Sequence, residues 1–128
     1  MRLVADPVFG EVDLTASVEE MVCLVSAVAK GEGFIGSMSP LDGDTLAGVE
    51  VKKSSGRGVR IELDASRQVL VISGDPGARA ILAANLRSMA TAEDGGHLHI
   101  DYFPGHPYLV AGSLSIVVNS PQGGMPTR

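Results

Sequence analysis

The run His97-Leu98-His99-Ile100-Asp101, preceded by Gly95-Gly96, constrains this chain most, because polar and apolar residues alternate through it without a break. Successive side chains of a strand point to opposite faces. Leu98 and Ile100 therefore face one way, and His97, His99 and Asp101 the other. One face must enter a core. The other is either an ordinary solvated strand face or a site built from two imidazoles and a carboxylate.

The remaining elements follow from local patterns. Arg2 to Val4 and Val8 to Leu14 read as short extended segments able to pair as an edge hairpin. Ser17-Val18-Glu19-Glu20 fits a capping box at a helix start. Val18, Met21, Val22, Val25, Val28 and Ala29 then recur at helical spacing, Lys30 suits the last turn and Gly31 the stop. Cys23 sits in this stretch and reads as a small buried hydrophobe. Gly31 to Gly48 reads as a mobile loop.

Three strands come next, around Val49-Val51, Val59-Leu63 and Val69-Ile72, with links short enough for an antiparallel meander. Asp75-Pro76 gives an N-cap followed by proline at the first helical position. Ala78, Ile81, Leu82, Asn85, Leu86 and Met89 mark the inward face of this second helix, with Asn85 hydrogen-bonded at the core edge and Arg79 and Arg87 in water. After the alternating strand, Pro104 to Leu109 is a compact turn and Ser113 to Asn119 a last strand. No internal repeat is visible. The expectation is an α+β fold: an antiparallel sheet of about five to six strands packed on one face by two α-helices. Residues 1–119 form one domain in this reading, and 120–128 a flexible tail.

Size and charge narrow the function classes. A chain of 128 residues can bury a sizeable core without a disulfide or a metal. No signal-peptide pattern and no stretch of about 18 apolar residues is present, so a cytoplasmic protein away from membranes is expected. Residues 1–51 hold nine acids against two bases, and residues 52–128 six acids against eight bases. Lys52, Lys53, Arg57 and Arg60 form one small basic cluster, too little for a nucleic-acid footprint. An acidic half suits a basic protein partner better.

Few constellations carry chemistry. His97, His99 and Asp101, with His106 as a further donor, could share a metal ion. Asp42-Gly43-Asp44 resembles a fragment of a calcium loop but lacks the closing glutamate. Cys23 has no visible activating base, and no serine sits in a Gly-x-Ser-x-Gly elbow. Gly74-Asp75-Pro76-Gly77 lacks the Gly-Lys-Ser/Thr end of a phosphate loop. No cofactor is expected.

The stretch Val69 to Val118 carries a resemblance. Its parts are the apolar strand ending in Ser73-Gly74-Asp75, the helix through Ile81-Leu82-Ala83-Ala84-Asn85-Leu86, the strand His97 to Tyr102, and Gly112-Ser113-Leu114 leading into the final strand. This combination resembles immunity protein 32, a family of bacterial polymorphic-toxin immunity proteins. The resemblance implies a small α+β cytoplasmic protein that binds and neutralises a cognate toxin and catalyses no reaction. The strand reading supplies the contact surface: His97, His99 and Asp101 on the wet face, joined by Asp42 and Asp44 of the loop. The alternative is a small metal-binding or metal-dependent protein using His97, His99 and Asp101.

The orientation of the alternating strand is open to a direct test. Ile100→Asp is expected to unfold the domain, because an unpaired buried carboxylate costs several kcal/mol, about the whole stability margin. His99→Ala should leave the melting temperature nearly unchanged. Equal losses in thermal melts of the two variants would reverse the assignment of faces.

Overall fold

The structure, a computed structural model, describes residues 1–6, 10–36, 45–90 and 97–119. The order of elements is β1 (Arg2–Asp6), β2 (Glu11–Thr15), α1 (Val18–Lys30), β3 (Gly33–Gly36), β4 (Gly48–Lys53), β5 (Val59–Asp64), β6 (Val69–Gly74), α2 (Pro76–Ala90), β7 (His97–Ile100) and β8 (Ser115–Asn119). The class is α+β, with two helices and two four-stranded mixed sheets. One sheet runs β1-β2-β8-β7 and the other β3-β4-β6-β5. Residues 37–44, which include Asp42 and Asp44, and the tail 120–128 lie outside the described residues. Gly33–Gly36, expected within a loop, pairs antiparallel with β4 instead.

The two sheets are built by exchange between two similar halves. Each half runs strand, strand, helix, strand, strand: β1-β2-α1-β3-β4, then β5-β6-α2-β7-β8. Each half makes two antiparallel hairpin pairs. The halves are joined by two parallel pairings, β2 with β8 and β4 with β6. Interchanging the halves turns one sheet order into the other. The equivalence extends to register, with Leu3 opposite Leu14 in the first hairpin and Ile61 opposite Ile72 in the second. It extends to the turns, where Gly10 and Gln68 both take positive φ, 64° and 54°, and to the N-caps Ser17 and Asp75. The repeat escapes a reading of residue identities because the paired positions share polarity and backbone shape rather than amino acids.

This exchange also explains why the strands between the helices are not a meander. β6 lies between β4 and β5, so the short link after β4 must cross the end of β6. Ser54 N–H donates to Gly74 O on the way (3.1 Å), and Gly58 N–H donates to Asp75 Oδ2 (2.6 Å). Gly58 has φ 85°, and a Cβ there would lie 2.6 Å from Val110 Cγ1, so only glycine fits the crossing. Beyond it, Arg67 closes the β5–β6 turn with bonds to Asp64 (2.7 Å) and Glu50 (2.8 Å). The bond from Arg67, followed by one from the Ser66 hydroxyl (2.8 Å), holds the Asp64 pKa down to about 2.

One apolar core draws on both sheets and both helices, and α1 packs against α2. In α1 the Ser17 cap and Glu20 form the expected capping box, and Gly31 ends the helix in the left-handed region. The buried arc is Met21, Leu24, Val25, Ala27 and Val28, while Val18 and Val22 are exposed. The arc is turned toward Leu24 and Ala27 because α1 must meet α2 as well as the strands. Cys23 falls on the outward side and is exposed, not buried. In α2, Ala78, Leu82, Ala83, Leu86 and Met89 are buried and Ile81 is 43% exposed.

Arg79 is not in water. It is 3% exposed and plugs the end of α1. Its Nε donates to Gly74 O (2.9 Å), and Nη1 donates to Val28 O (2.9 Å) and Ala29 O (3.0 Å). The last carbonyls of a helix lack intrahelical partners and carry partial negative charge, so a guanidinium is well suited there. Gly31 makes room for it, since a Cβ at that position would lie 2.7 Å from Arg79 Cζ. The fourth residue after the N-cap of α1 is Met21, fully buried; in α2 the same place holds Arg79. Arg79→Ala strands the Val28 and Ala29 carbonyls and opens a cavity, and should cost about 2–4 kcal/mol in denaturant unfolding. Arg79→Met should recover part of that loss by refilling the volume.

Candidate functional site

The site begins on β7, the edge strand of its sheet. Pairing with β8 sets His99 opposite Val117 and Ile100 opposite Ile116. Ile100 is buried at 2% and Leu98 packs against the core, while His99 and Asp101 are exposed. The alternation therefore holds from Leu98 to Asp101, although the strand itself ends at Ile100. The side chain of His97 lies outside the described residues. Asp42 and Asp44 fall in the β3–β4 connection; those two strands belong to the other sheet.

The segment that follows β7 is held to that other sheet. Val59 N–H donates to Tyr108 O (2.7 Å), Val110 N–H to Val59 O (2.9 Å) and Leu114 N–H to Ile61 O (2.9 Å). The stretch thus covers the outer edge of β5. Within it His106 is the organiser. The amides of Tyr108 and Leu109 both donate to His106 Nδ1, at 3.1 and 3.0 Å. Two amide donors on one ring nitrogen require that nitrogen to be unprotonated, which leaves the proton of the neutral ring on Nε2. Burial pushes the His106 pKa down and favours the same neutral form.

Aromatic rings gather around this histidine. Phe103 lies 4.8 Å from it between ring centroids, Tyr108 meets it edge-on at 4.6 Å, and Tyr102 stacks at 6.5 Å. From α2, Asn85 Nδ2 donates to the Tyr108 hydroxyl (3.0 Å). That fulfils the expectation of a hydrogen-bonded Asn85 at the core edge. Tyr108 is buried, and desolvation holds its hydroxyl pKa up.

Together these groups wall a basin of about 320 Å³ that includes Asn85, His99, Asp101, Phe103, His106 and Tyr108. His106, Pro107 and Tyr108 form the ridge between it and a second depression of about 430 Å³, which Arg57, Asp75 and Ile81 help to line. Asp75 is not a spare acid there, because the amides of Ala78 and Gly58 bond its carboxylate and lower its pKa. Among the described residues no group of three or more His, Cys, Asp or Glu side chains is placed to hold a metal.

Of the residues singled out in the sequence, His99, Asp101 and His106 line this one basin, together with Phe103 and Tyr108. A signal for these lay in the chain: three of its five Phe and Tyr residues fall between 102 and 108, around a histidine and two prolines. Aromatic side chains dominate the energetics of interfaces as well as cores, and here two of the three, Tyr102 and Phe103, are exposed.

Residues 69–121 match the model of a family described as Immunity protein 32. The match opens at the first residue of β6 and runs through α2, β7 and β8. No curated protein and no solved structure matches the chain.

The His106 bonds make the site sensitive to acid. Neutral His106 is favoured in the folded chain, so the unfolded chain takes up its proton first, and stability falls as pH drops below about 6.5. His106 should titrate below that value by NMR, with the Tyr108 and Leu109 amides broadening as it does. His106→Asn, which keeps an acceptor near Nδ1, should remove this part of the pH dependence in urea melts at pH 7 and pH 5.

Proposed function

We propose that this chain is an immunity protein, which binds a cognate bacterial toxin of a polymorphic toxin system in the cytoplasm and neutralises it by occlusion, without catalysis. The observation that carries this reading is the match over residues 69–121, because every residue lining the 320 Å³ basin falls inside it. The binding face is centred on the basin, with His97, His99 and Asp101 on the β7 side, and Asp42 and Asp44 supply charge from the β3–β4 connection. Exposed Tyr102 and Phe103 suit an interface, since aromatic side chains are enriched at interface cores. The acidic first half suits a toxin with a basic surface, such as a cleft that handles nucleic acid.

The test is binding kinetics against the product of the adjacent gene at low and high salt. Charges at a rim govern encounter, so Asp42→Lys with Asp44→Lys should slow association and weaken its salt dependence. Alanine at Asp101 or Phe103 should mainly speed dissociation. A product that fails to bind, together with turnover of a substrate by the purified protein, would overturn the reading.

A further inference from the structure

We infer that the basin beside β7 is a seat for an arginine side chain of the partner protein. The partner's identity rests on the immunity reading; the chemistry of the seat rests on the basin alone. Among the described residues Asp101 is the one carboxylate on its wall, and none of them that lines it is Lys or Arg. The ion pairs among those residues engage Glu20, Glu50 and Asp64, leaving Asp101 out. Phe103, 52% exposed, lines the same basin, with its ring 4.8 Å from His106 between centroids. His106 is in turn fixed by two amide bonds, so the aromatic surface is organised before anything binds.

An aromatic ring and an unpaired carboxylate on the wall of one basin are the groups that a guanidinium uses best. Its plane stacks on the ring while its N–H groups bond the carboxylate in pairs. An ammonium can meet the charge but cannot stack, and an uncharged side chain meets neither requirement. Tyr108 and Asn85, bonded to each other at 3.0 Å, close the floor with polar atoms that can face the guanidinium edge.

The probe is L-argininamide titrated into the full chain by two-dimensional NMR at pH 7, with citrullinamide as the isostere whose side chain is uncharged and lysinamide as a compact side-chain cation. Saturable shifts at Asp101, Phe103 and His106 are expected with argininamide, and binding about tenfold weaker with citrullinamide. Asp101→Asn and Phe103→Ala should each weaken the response while the rest of the spectrum keeps its folded dispersion. Equal responses to citrullinamide, or shifts indifferent to both variants, would overturn the proposal.

The product of the adjacent gene provides the second arm. Faster dissociation from both variants supports the seat as a toxin contact. A product that binds wild type and both variants alike overturns the seat and leaves the immunity reading standing. A product that does not bind, while argininamide does, supports the seat and overturns the immunity reading.

Discussion

Two parallel strand pairings hold this molecule together. β2 reaches β8 across nearly the whole chain, and β4 reaches β6 across the junction between the halves. Without them each half is left with two separate two-stranded hairpins and one helix, and isolated hairpins are marginal in water. The sheets therefore form only when both halves are present, and the shared core between them forms in the same step. Such long-range pairing is slow to nucleate, because loop closure must precede the contacts that reward it. The tight glycine crossing at Gly58 is where the chain passes from one half to the other.

The buried Arg79 belongs to the same junction. It starts from α2 of the second half and ends on the carbonyls of α1 in the first. The open ends of the sheets receive comparable attention. β1 and β5 are outer strands, and each is lined by a returning segment: Leu46 donates to Leu3 O beside β1, and Val110 and Leu114 donate to β5. Covering an outer strand blunts its tendency to pair with other chains. The segment that covers β5 is also the one that carries His106, so the His106 ridge is tied to the sheet by backbone bonds and does not rest on packing alone.

Local chemistry was legible in the sequence where it was local in cause. The Ser17 capping box, the Asp75-Pro76 helix start, the Gly31 stop and the inward face of Ile100 all follow from neighbours within a few residues. What stayed hidden depended on partners far along the chain. Nothing near Arg79 shows that the end of another helix waits for it, and nothing near Val49 shows that β6 will displace β5 as its neighbour. Val18, Val22 and Cys23 were misplaced for the same reason, since the orientation of α1 is set by α2. The site was half legible: alternation placed His99 and Asp101, but the His106 ridge exists only through bonds to the backbone that follows it and through the anchoring of that backbone on β5.

The internal duplication has a consequence for stoichiometry. Two separate copies of one half, assembled in the same way, would display every surface twice. A single chain is released from that symmetry, and its halves differ in the links between their last two strands. The link between β7 and β8 carries Tyr102, Phe103, His106 and Tyr108, whereas the corresponding link between β3 and β4, residues 37–47, contains no histidine and no aromatic residue. The molecule thus has a valence of one at this face. A face displayed once per molecule takes one partner at a time and cannot by itself link partners into larger assemblies.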